Sequence, residues 1–386
     1  MANLIHMLMP IVLVTIQSQQ GHAKLQYRAV TAGATHTCGI TATGAYCWGD
    51  NAYGQLGTGH EQSSSVPVAV TGGVTFASVS AGDGFTCGVS TSGDGYCWGR
   101  TPYGQSESGR PLHTDTPTPV PGQHHFMQVS AGANHACGVT TERAVYCWGV
   151  NTSGQLGSGD AISSPVPRPV ATRAPFASVS ASWDHTCGVA IDGTAYCWGN
   201  NRFGQLGDGS TTASLVPRPV EHIRDFVSVS AGGRHTCGVT ARGVGYCWGD
   251  NLDSQIGTGP DFDLGFGGLE GTFRHGTSAY WVPAALASGH RLAAVLAGGL
   301  HTCTLVLESI DRVGCRGSNR DVLLSTEFFS GIEFVQLDAG DFHTCGATED
   351  GTAYCWGRNG AGELGDGTFR VPTRPARVVE PDSAGR

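Results

Sequence analysis

The chain contains, at residues 176–220, the stretch FASVSASWDHTCGVAIDGTAYCWGNNRFGQLGDGSTTASLVPRPV, and the parts of this stretch recur along the whole sequence. Its first five residues alternate apolar and polar side chains, which is typical of a half-buried strand. The Asp192-Gly193 pair separates two further short apolar runs and predicts the tight turn of a β-hairpin. The stretch therefore predicts a unit of short antiparallel strands.

Seven cysteine pairs, one in each copy of the unit, give the repeat length. The second cysteine of one pair lies 40 residues before the first cysteine of the next pair in four successive cases, so the period is about 50 residues. Such a period is typical of propellers and solenoids. The pairs are Cys38 with Cys47, Cys87 with Cys97, Cys137 with Cys147, Cys187 with Cys197, Cys237 with Cys247, Cys303 with Cys315, and Cys345 with Cys355.

The spacing within each pair favours a disulfide. The partners are 9 to 12 residues apart with a turn between them, so they can lie opposite each other on adjacent antiparallel strands. Opposed strand residues have Cα atoms about 4.5 to 5.5 Å apart, which is within disulfide range. Zinc sites usually contain Cys-x-x-Cys, a spacing that no pair has. Free structural thiols remain the alternative.

Composition agrees with an all-β fold and argues against a nucleic-acid partner. The 59 glycines and 18 prolines supply turns, and only 14% of residues are charged, against roughly 25% in ordinary soluble domains. The formal net charge is -9, and the only lysine is Lys24. Because the sequence has no basic stripe, we expect no nucleic acid as a ligand.

The first 23 residues have the features of a signal peptide. An apolar run from Leu4 to Ile16 precedes Gly21-His22-Ala23, a small-x-small site of the kind that signal peptidase cleaves. The run is too short to cross a bilayer as a mature helix, so we expect no stable membrane insertion. Fourteen paired cysteines also fit an oxidising compartment. The sequence thus predicts a secreted or extracytoplasmic protein, with a signal peptide at 1–23 and one domain at 24–386.

The repeats resemble those of the regulator of chromosome condensation family. The resemblance covers residues 27 to about 379 and is carried by His-Thr-Cys-Gly-Val, Tyr-Cys-Trp-Gly and Asn-x-x-Gly-Gln-Leu-Gly, which recur in order. The family forms seven-bladed β-propellers, so the resemblance implies that fold here. The family also includes a guanine-nucleotide exchange factor, which makes exchange activity an alternative function. The paired cysteines depart from the intracellular members of the family.

The chain ends suggest how the ring is closed. The first unit begins at Tyr27 with no Val-Pro-x-Pro-Val segment before it, whereas the chain ends with such a segment and no hairpin after it. We therefore predict that residues 371–379 pair with the amino-terminal blade and protect its edge.

One long connection and one irregular unit interrupt the pattern. The interval between the fifth and sixth cysteine pairs is 56 residues rather than 40, which places an insertion at 260–281. This insertion contains Phe266 and Phe273, and an aromatic loop on a rigid scaffold is a candidate binding element. In the sixth unit, Arg316 replaces the tryptophan that follows the second cysteine.

A histidine precedes the first cysteine motif in six of the seven units, and Phe85 replaces it in the second unit. We interpret these histidines as framework residues that hydrogen-bond backbone between neighbouring blades, because the symmetry of a ring would hold them too far apart to share one metal ion. We expect neither a metal nor a cofactor. The histidines are His36, His135, His185, His235, His301 and His343.

The two residues before each histidine position differ from unit to unit, unlike their surroundings. If they lie in turns between strands, they form a ring on one face of the propeller. The candidates for partner binding are Trp183, Asp184, Arg234, Leu300, Asp341 and Phe342, together with Phe266 and Phe273 of the insertion. Tryptophan and arginine dominate the energetics of many protein interfaces, although neutral variation on a solvated rim would give the same pattern.

The sequence favours a non-enzymatic binding function. It has no Gly-x-Ser-x-Gly, phosphate-binding loop or His-Glu-x-x-His motif. We expect a monomeric scaffold that recognises a protein, as an inhibitor or an adhesin does. A second hypothesis is a polysaccharide-acting enzyme, for which Asp83, Asp184 and Asp341 would supply carboxylates about 5 to 10 Å apart.

Overall fold

The computed structural model describes residues 25–105, 111–257, 279–286, 290–307, 313–318, 329 and 331–381. These residues form seven antiparallel sheets, which are the blades of a β-propeller with essentially no helix. None of the helices found within these ranges is long and apolar enough to cross a membrane. The predicted signal peptide at 1–23 lies outside the described residues.

Each blade is one complete repeat, numbered in chain order, and its strands run from the channel to the rim. Blade 1 contains β1 (Tyr27–Ala32), β2 (His36–Thr41), β3 (Ala45–Gly49) and β4 (Ser64–Ala69). Blade 2 contains β5 (Phe76–Ala81), β6 (Phe85–Ser90), β7 (Gly95–Gln105) and β8 (Pro111–Pro119). Blade 3 contains β9 (Phe126–Ala131), β10 (His135–Thr140), β11 (Val145–Gly149) and β12 (Ser164–Pro169). Blade 4 contains β13 (Phe176–Ala181), β14 (His185–Ala190), β15 (Ala195–Gly199) and β16 (Ser214–Pro219). Blade 5 contains β17 (Phe226–Ala231), β18 (His235–Thr240), β19 (Gly245–Asp250) and β20 (Ala279–Ala285). Blade 6 contains β21 (Leu292–Ala297), β22 (His301–Val306) and β23 (Val313–Gly317). Blade 7 contains β24 (Phe334–Ala339), β25 (His343–Thr348), β26 (Ala353–Gly357) and β27 (Ala376–Arg377).

The predicted disulfides are confirmed, with one in each blade. In blade 4, Cys187 of β14 lies directly opposite Cys197 of β15 in the strand register, and the other six pairs are arranged in the same way. The Cα atoms of the seven pairs are 4.0 to 4.1 Å apart. The described residues include no free cysteine.

The apolar core is divided among the seams, a name that we use for the contact between one blade and the next. At the seam between blades 3 and 4, Val139 and Leu156 of blade 3 pack against Phe176 and Trp198 of blade 4. Leu156 belongs to the loop after β11, which crosses to the following blade, and both Leu156 and Trp198 are fully buried. The repeated Trp-Gly and Gly-Gln-Leu-Gly segments are therefore packing elements of the seams.

The histidines join neighbouring blades, but they do so through threonine side chains rather than through the backbone that the sequence led us to expect. His135 Nε2 lies 2.7 Å from Thr186 Oγ1. Since Thr186 Oγ1 donates its proton to the Gln155 carbonyl at 2.8 Å, it accepts from the histidine. The six pairs are His36 with Thr86, His135 with Thr186, His185 with Thr236, His235 with Thr302, His301 with Thr344, and His343 with Thr37.

The seam between blades 2 and 3 differs from the other six at both positions of the histidine–threonine pair. Phe85 occupies the histidine position of blade 2, and the next blade has Ala136 at the threonine position. Both residues are fully buried or nearly so, and they pack in one apolar cluster. The seam between blades 2 and 3 has thus replaced a polar pair by an apolar pair, which leaves no buried hydrogen-bonding group unpaired at that position.

A ring of hydrogen bonds around the central channel also joins the blades. In six of the seven seams, the backbone N–H after the channel-lining glycine position donates to a carbonyl of the next blade; in the seam between blades 4 and 5, the Ser182 hydroxyl donates to the Gly232 carbonyl instead. The six backbone bonds run from Ala34 to Gly82, Asp83 to Gly132, Ala133 to Ser182, Gly233 to Gly298, Gly299 to Gly340, and Asp341 to Gly33. The ring is therefore continuous.

The predicted pairing of residues 371–379 with the amino-terminal blade is wrong. Arg377 and Ala376 of β27 pair with Tyr354 and Cys355 of β26 in their own blade. The reason is that each Val-Pro-x-Pro-Val segment is the outer strand of the hairpin before it, so neither end of the chain lacks a strand. Blades 7 and 1 meet through an ordinary seam, in which Leu364 and Val378 pack with Tyr27 and Trp48.

We expect Gly340→Ala to destabilise the propeller by roughly 1 to 3 kcal/mol, as overpacking does in a well-packed site. A Cβ atom at this position would clash with the Gly33 carbonyl oxygen, which accepts the Asp341 N–H across the seam between blades 7 and 1. Urea denaturation measures the effect. Gly360→Ala in the same blade is the control, because its Cβ would lie 3.8 Å from its nearest neighbour, Arg358 Nε. Equal stability of the two variants would contradict the expectation.

Candidate functional site at the channel mouth

The variable residues identified in the sequence lie in the turns between the first and second strands of the blades, around one mouth of the central channel. The cavity at this mouth has a volume of about 70 Å³. Alanine from every blade and glycine from every blade except blade 4 line it, and Asp83, Trp183 and Asp341 are the larger side chains. The loops after the third strands reach the same face, because the third strand of each blade ends beside the histidine at which the second strand begins. This face therefore carries most of the differences between blades.

The Trp183 side chain bridges the channel mouth from blade 4 to blade 7. Its indole Nε1–H donates to Asp341 Oδ1 at 2.8 Å, which joins two turns 158 residues apart in the chain. The ring passes beside Gly233, where an added Cβ would lie 3.0 Å from two indole carbons. A glycine at this position of blade 5 thus leaves room for the indole.

Burial raises the pKa of Asp341 to about 6. The hydrogen bond from Trp183 opposes this shift, and the nearby Asp83 carboxylate adds to it. Asp83 is itself held by Arg100, whose Nη2 lies 3.2 Å from the carboxylate and also donates to the Asp83 and Ala133 carbonyls. The mouth therefore contains an acid whose charge changes in a mildly acidic solution and whose ionisation is coupled to a bridging tryptophan.

An arginine–aromatic cluster lies beside the Trp183 bridge. The Arg234 guanidinium is 5.9 Å from the Trp183 ring centroid and 5.2 Å from that of Phe203, a residue of the loop after β15. Arg234 is exposed. Asp184 accepts a hydrogen bond from Asn200 at 2.5 Å, and burial raises the pKa of its carboxyl although Asn200 and Arg234 oppose the shift. The cluster offers an aromatic surface with a cation above it, which suits a partner with apolar and acidic groups.

Phe342 and Arg358 form a second aromatic–cation pair on blade 7. The Arg358 guanidinium lies 5.4 Å from the Phe342 ring centroid, and the ring is 38% exposed. Arg358 Nε is also 3.6 Å from Oε1 of Glu363, which is buried in the crossing loop of the same blade. This ion pair holds the guanidinium beside the ring.

The structure thus groups Trp183, Asp341, Arg234 and Asp184, and it places Phe342 beside the Asp341 backbone. Leu300 lies half-buried in the turn of blade 6. Phe266 and Phe273 fall outside the described residues. Arg100, Phe203 and Arg358 also belong to this face, although they are not among the residues predicted from the sequence. Arg100 and Arg358 occupy the residue after Trp-Gly, which varies among the units in the printed sequence and could have identified them.

Comparison with known proteins agrees with this architecture. A model of the RCC1-like domain family matches residues 10–384. No curated protein sequence matches the chain at a significant level.

Several solved structures share the fold at low sequence identity. Human WBSCR16 is 21% identical, with a TM-score of 0.73 over 87% of this chain and 94% of that protein. Prp20p from Saccharomyces cerevisiae is 21% identical, with a TM-score of 0.61 over 92% and 77% of the two chains. The CRINKLY WD40 ectodomain of the Arabidopsis thaliana receptor kinase ACR4 is 22% identical, with a TM-score of 0.56 over 92% and 99%.

Proposed function

The chain belongs to the RCC1-like domain family, and we propose that it is a secreted or extracytoplasmic, non-enzymatic scaffold that binds a protein partner. The binding surface would be the channel-mouth face, with the inserted loop at 260–281 as an additional element. Prp20p, which has the same fold, binds Gsp1p and histones. The scaffold fixes the positions of side chains on one face, and the side chains decide what is bound.

The observation that carries this proposal is the cluster of Trp183, Arg234 and Phe203. Tryptophan and arginine are among the residues most enriched among interface hot spots, and the Arg234 guanidinium lies within cation–π distance of both rings. The cluster adjoins the Asp341 bridge, so its orientation is fixed by contacts with a blade across the ring.

The extracytoplasmic location rests on a different observation. The seven disulfides would form and persist in an oxidising compartment. The ACR4 ectodomain is an example of this fold in a receptor ectodomain. Such a location disfavours exchange activity on a cytoplasmic GTPase.

The alternative of a polysaccharide-acting enzyme is less well supported. The Asp83 carboxylate does contribute to the raised pKa of Asp341, as one of a pair of catalytic carboxyls would. However, the cavity at the mouth is about 70 Å³, whereas small-molecule sites usually measure roughly 300 to 1,000 Å³. Trp183 also lies at this mouth and donates its indole N–H to the Asp341 carboxyl.

We expect the double variant Trp183→Ala/Phe342→Ala to bind its partner at least about tenfold more weakly, which corresponds to roughly 1.4 kcal/mol. The wild-type protein would first capture the partner from native extracellular fluid, and surface plasmon resonance would then compare affinities. Ile191→Ala is the control, because Ile191 is in the same blade as Trp183, is 62% exposed, and lies at the opposite end of β14. Unchanged affinity of a folded double variant would rule out this face as the main binding surface.

A further inference from the structure

In the part of the chain that the structure describes, the seam between blades 2 and 3 lacks an element that five other seams contain. In those five, the loop after the third strand crosses to the next blade and buries one aliphatic side chain completely. These side chains are Leu56, Leu156, Leu206, Ile256 and Leu364. In the remaining seam, between blades 6 and 7, Phe329 takes this place and lies 5.0 Å from the Trp356 ring. Within the described ranges, every seam except the one between blades 2 and 3 therefore has a buried side chain in this place.

The crossing loops also make a constant backbone contact with the blade that they reach. A glycine N–H of the loop donates to a backbone carbonyl in the outer strand of that blade. The distances are 2.8 Å from Gly59 to Asp115, 3.0 Å from Gly159 to Leu215, 3.0 Å from Gly209 to Trp281, and 2.9 Å from Gly367 to Ser65. At three of these seams, the tryptophan of the receiving blade donates to a carbonyl of the loop, with distances of 2.9 to 3.0 Å. The loop thus inserts as a turn with one apolar side chain and paired backbone groups.

Blade 2 uses the corresponding residues differently. Its strands β7 and β8 continue as a hairpin, with Arg100 paired to His113 and Gln105 paired to Pro111. The backbone segment that crosses to the next blade in other repeats is therefore paired between the two outer strands of blade 2. The same seam has the Phe85 and Ala136 replacements, and Ala136 removes the threonine that would donate to a crossing carbonyl. Three departures from the repeat coincide at one seam.

The result is an apolar groove, which we call the open seam. It has a volume of about 210 Å³ and is lined by Trp98, Thr118, Val120, Trp148, Pro165 and their neighbours. This volume is similar to that of a dry cavity, on the order of 150 Å³, that binds small hydrocarbons. Trp148 is 5% exposed, whereas the corresponding tryptophans are at most 1% exposed. Among the described residues, neither the Trp148 indole N–H nor the Pro165 carbonyl has a hydrogen-bond partner.

We propose that the open seam binds an aliphatic side chain, carried on a turn of a partner polypeptide. The other seams define this occupant, because they show that the space between two such blades takes leucine or isoleucine. In the bound state, a partner carbonyl would accept the Trp148 indole N–H, and a partner N–H would donate to the Pro165 carbonyl. This site is on the rim of the ring and does not depend on the proposed function of the channel-mouth face.

A peptide from this chain provides the probe. The segment at 151–159, NTSGQLGSG, fills the equivalent position between blades 3 and 4, where Asn151 Oδ1 accepts the Leu156 N–H at 2.9 Å. We expect the cyclised peptide to bind the whole protein at roughly millimolar concentration, because a short flexible ligand loses much of its freedom on binding. Binding should shift the ¹⁵N indole resonance of Trp148, assigned with a Trp148→Phe variant. A peptide with serine in place of leucine should bind at least about tenfold more weakly.

A protein variant provides the second comparison. Thr118→Phe places a ring in the open seam from an exposed lining position and should reduce peptide binding at least about tenfold. Arg218→Phe is the matched control, because Arg218 has the same register opposite the second cysteine of blade 4, and the seam between blades 4 and 5 is already filled. Thermal denaturation would verify that both variants fold.

Three results would overturn the proposal. The first is a Trp148 resonance that does not respond to the leucine peptide. The second is equal binding of the leucine and serine peptides, or equal binding to wild type and Thr118→Phe. The third is slow solvent exchange of the Trp148 indole N–H in the free protein, which would mean that residues of this chain already cover the groove.

Discussion

Removal of all seven disulfides is expected to leave the chain unfolded at room temperature. In the chain-entropy model, a cross-link that closes a loop of about 10 residues stabilises a protein by roughly 2 to 3 kcal/mol. If additive, seven such terms would amount to roughly 14 to 21 kcal/mol, which matches or exceeds the roughly 5 to 15 kcal/mol by which ordinary domains are stable. The seven loops span 9 to 12 residues, and all seven are in the central hairpins of the blades.

Circular dichroism of a variant with alanine at all fourteen cysteines would measure this loss. The double variant Cys187→Ala/Cys197→Ala is the graded control, and it should lose only the single contribution. Under mild reduction of the native protein, the bonds that contain Cys97 and Cys315 should open first, because those two residues are partly exposed whereas the other twelve cysteines are fully buried. A fourteen-alanine variant that melts cooperatively within a few degrees of wild type would show that seam packing alone maintains the fold.

Acid is expected to destabilise the propeller through its buried histidines. Burial lowers the pKa of His185 from 6.5 to about 3 and that of His36 to about 4. All six ring Nδ1 atoms are buried without a partner among the described residues, so a second proton there would create an unpaired charge. The unfolded chain therefore binds more protons than the folded chain below pH 6.5. Stability falls as the pH drops through this range, until the folded-state pKa is reached.

The chain itself supplies the variant that isolates this effect. His185→Phe/Thr236→Ala copies the Phe85 and Ala136 arrangement and removes one titrating group. Between pH 7.5 and 5.0, the wild type should lose about 2 kcal/mol more stability than this variant. Burial raises the pKa of Asp341 to about 6, so this carboxyl acts in the opposite direction over the same range. Burial also raises the pKa of Asp338.

Urea denaturation of both proteins across the pH range measures the difference. Because the two carboxyls are present in both proteins, they cancel in the comparison. The single variant Thr236→Ala is a further control. It leaves the His185 Nε2–H without its acceptor, so it should be less stable at pH 7.5 than the double variant. Parallel stability curves for wild type and the double variant would contradict the role assigned to the histidine.

The fold was largely predictable because each blade repeats the same physical solution. Apolar alternation, the turn at Asp192-Gly193 and the cysteine spacing are local signals, and seven copies made them unambiguous. The closure of the ring was mispredicted, because the sequence shows that a strand follows each hairpin but not which sheet it joins. The Thr partners of the histidines had a readable signal, since Phe85 and Ala136 depart from the pattern in consecutive units.

The candidate site was less predictable, because it depends on contacts across the ring. Trp183 and Asp341 were selected as variable residues, but nothing in their local sequence indicates that they meet across the channel. The open seam was also hidden. The unusual residues after Arg100 are visible in the sequence, whereas the space that they leave beside Trp148 depends on where the hairpin of blade 2 extends. Local pattern therefore identified the exceptions, and only the packed ring showed their consequences.

Among the described residues, blades 7 and 1 share no strand, so each blade is formed by one continuous segment of the chain. The two ends of the described part of the chain meet at one seam, where the Leu25 N–H donates to the Glu380 carboxylate and the Gly367 N–H donates to the Ser65 carbonyl. Since every blade is contiguous in sequence, a circular permutation that joins these ends and opens another connection between blades would preserve every sheet. The topology equally permits duplication or deletion of whole repeats, because each sheet is formed by strands that are consecutive in the chain.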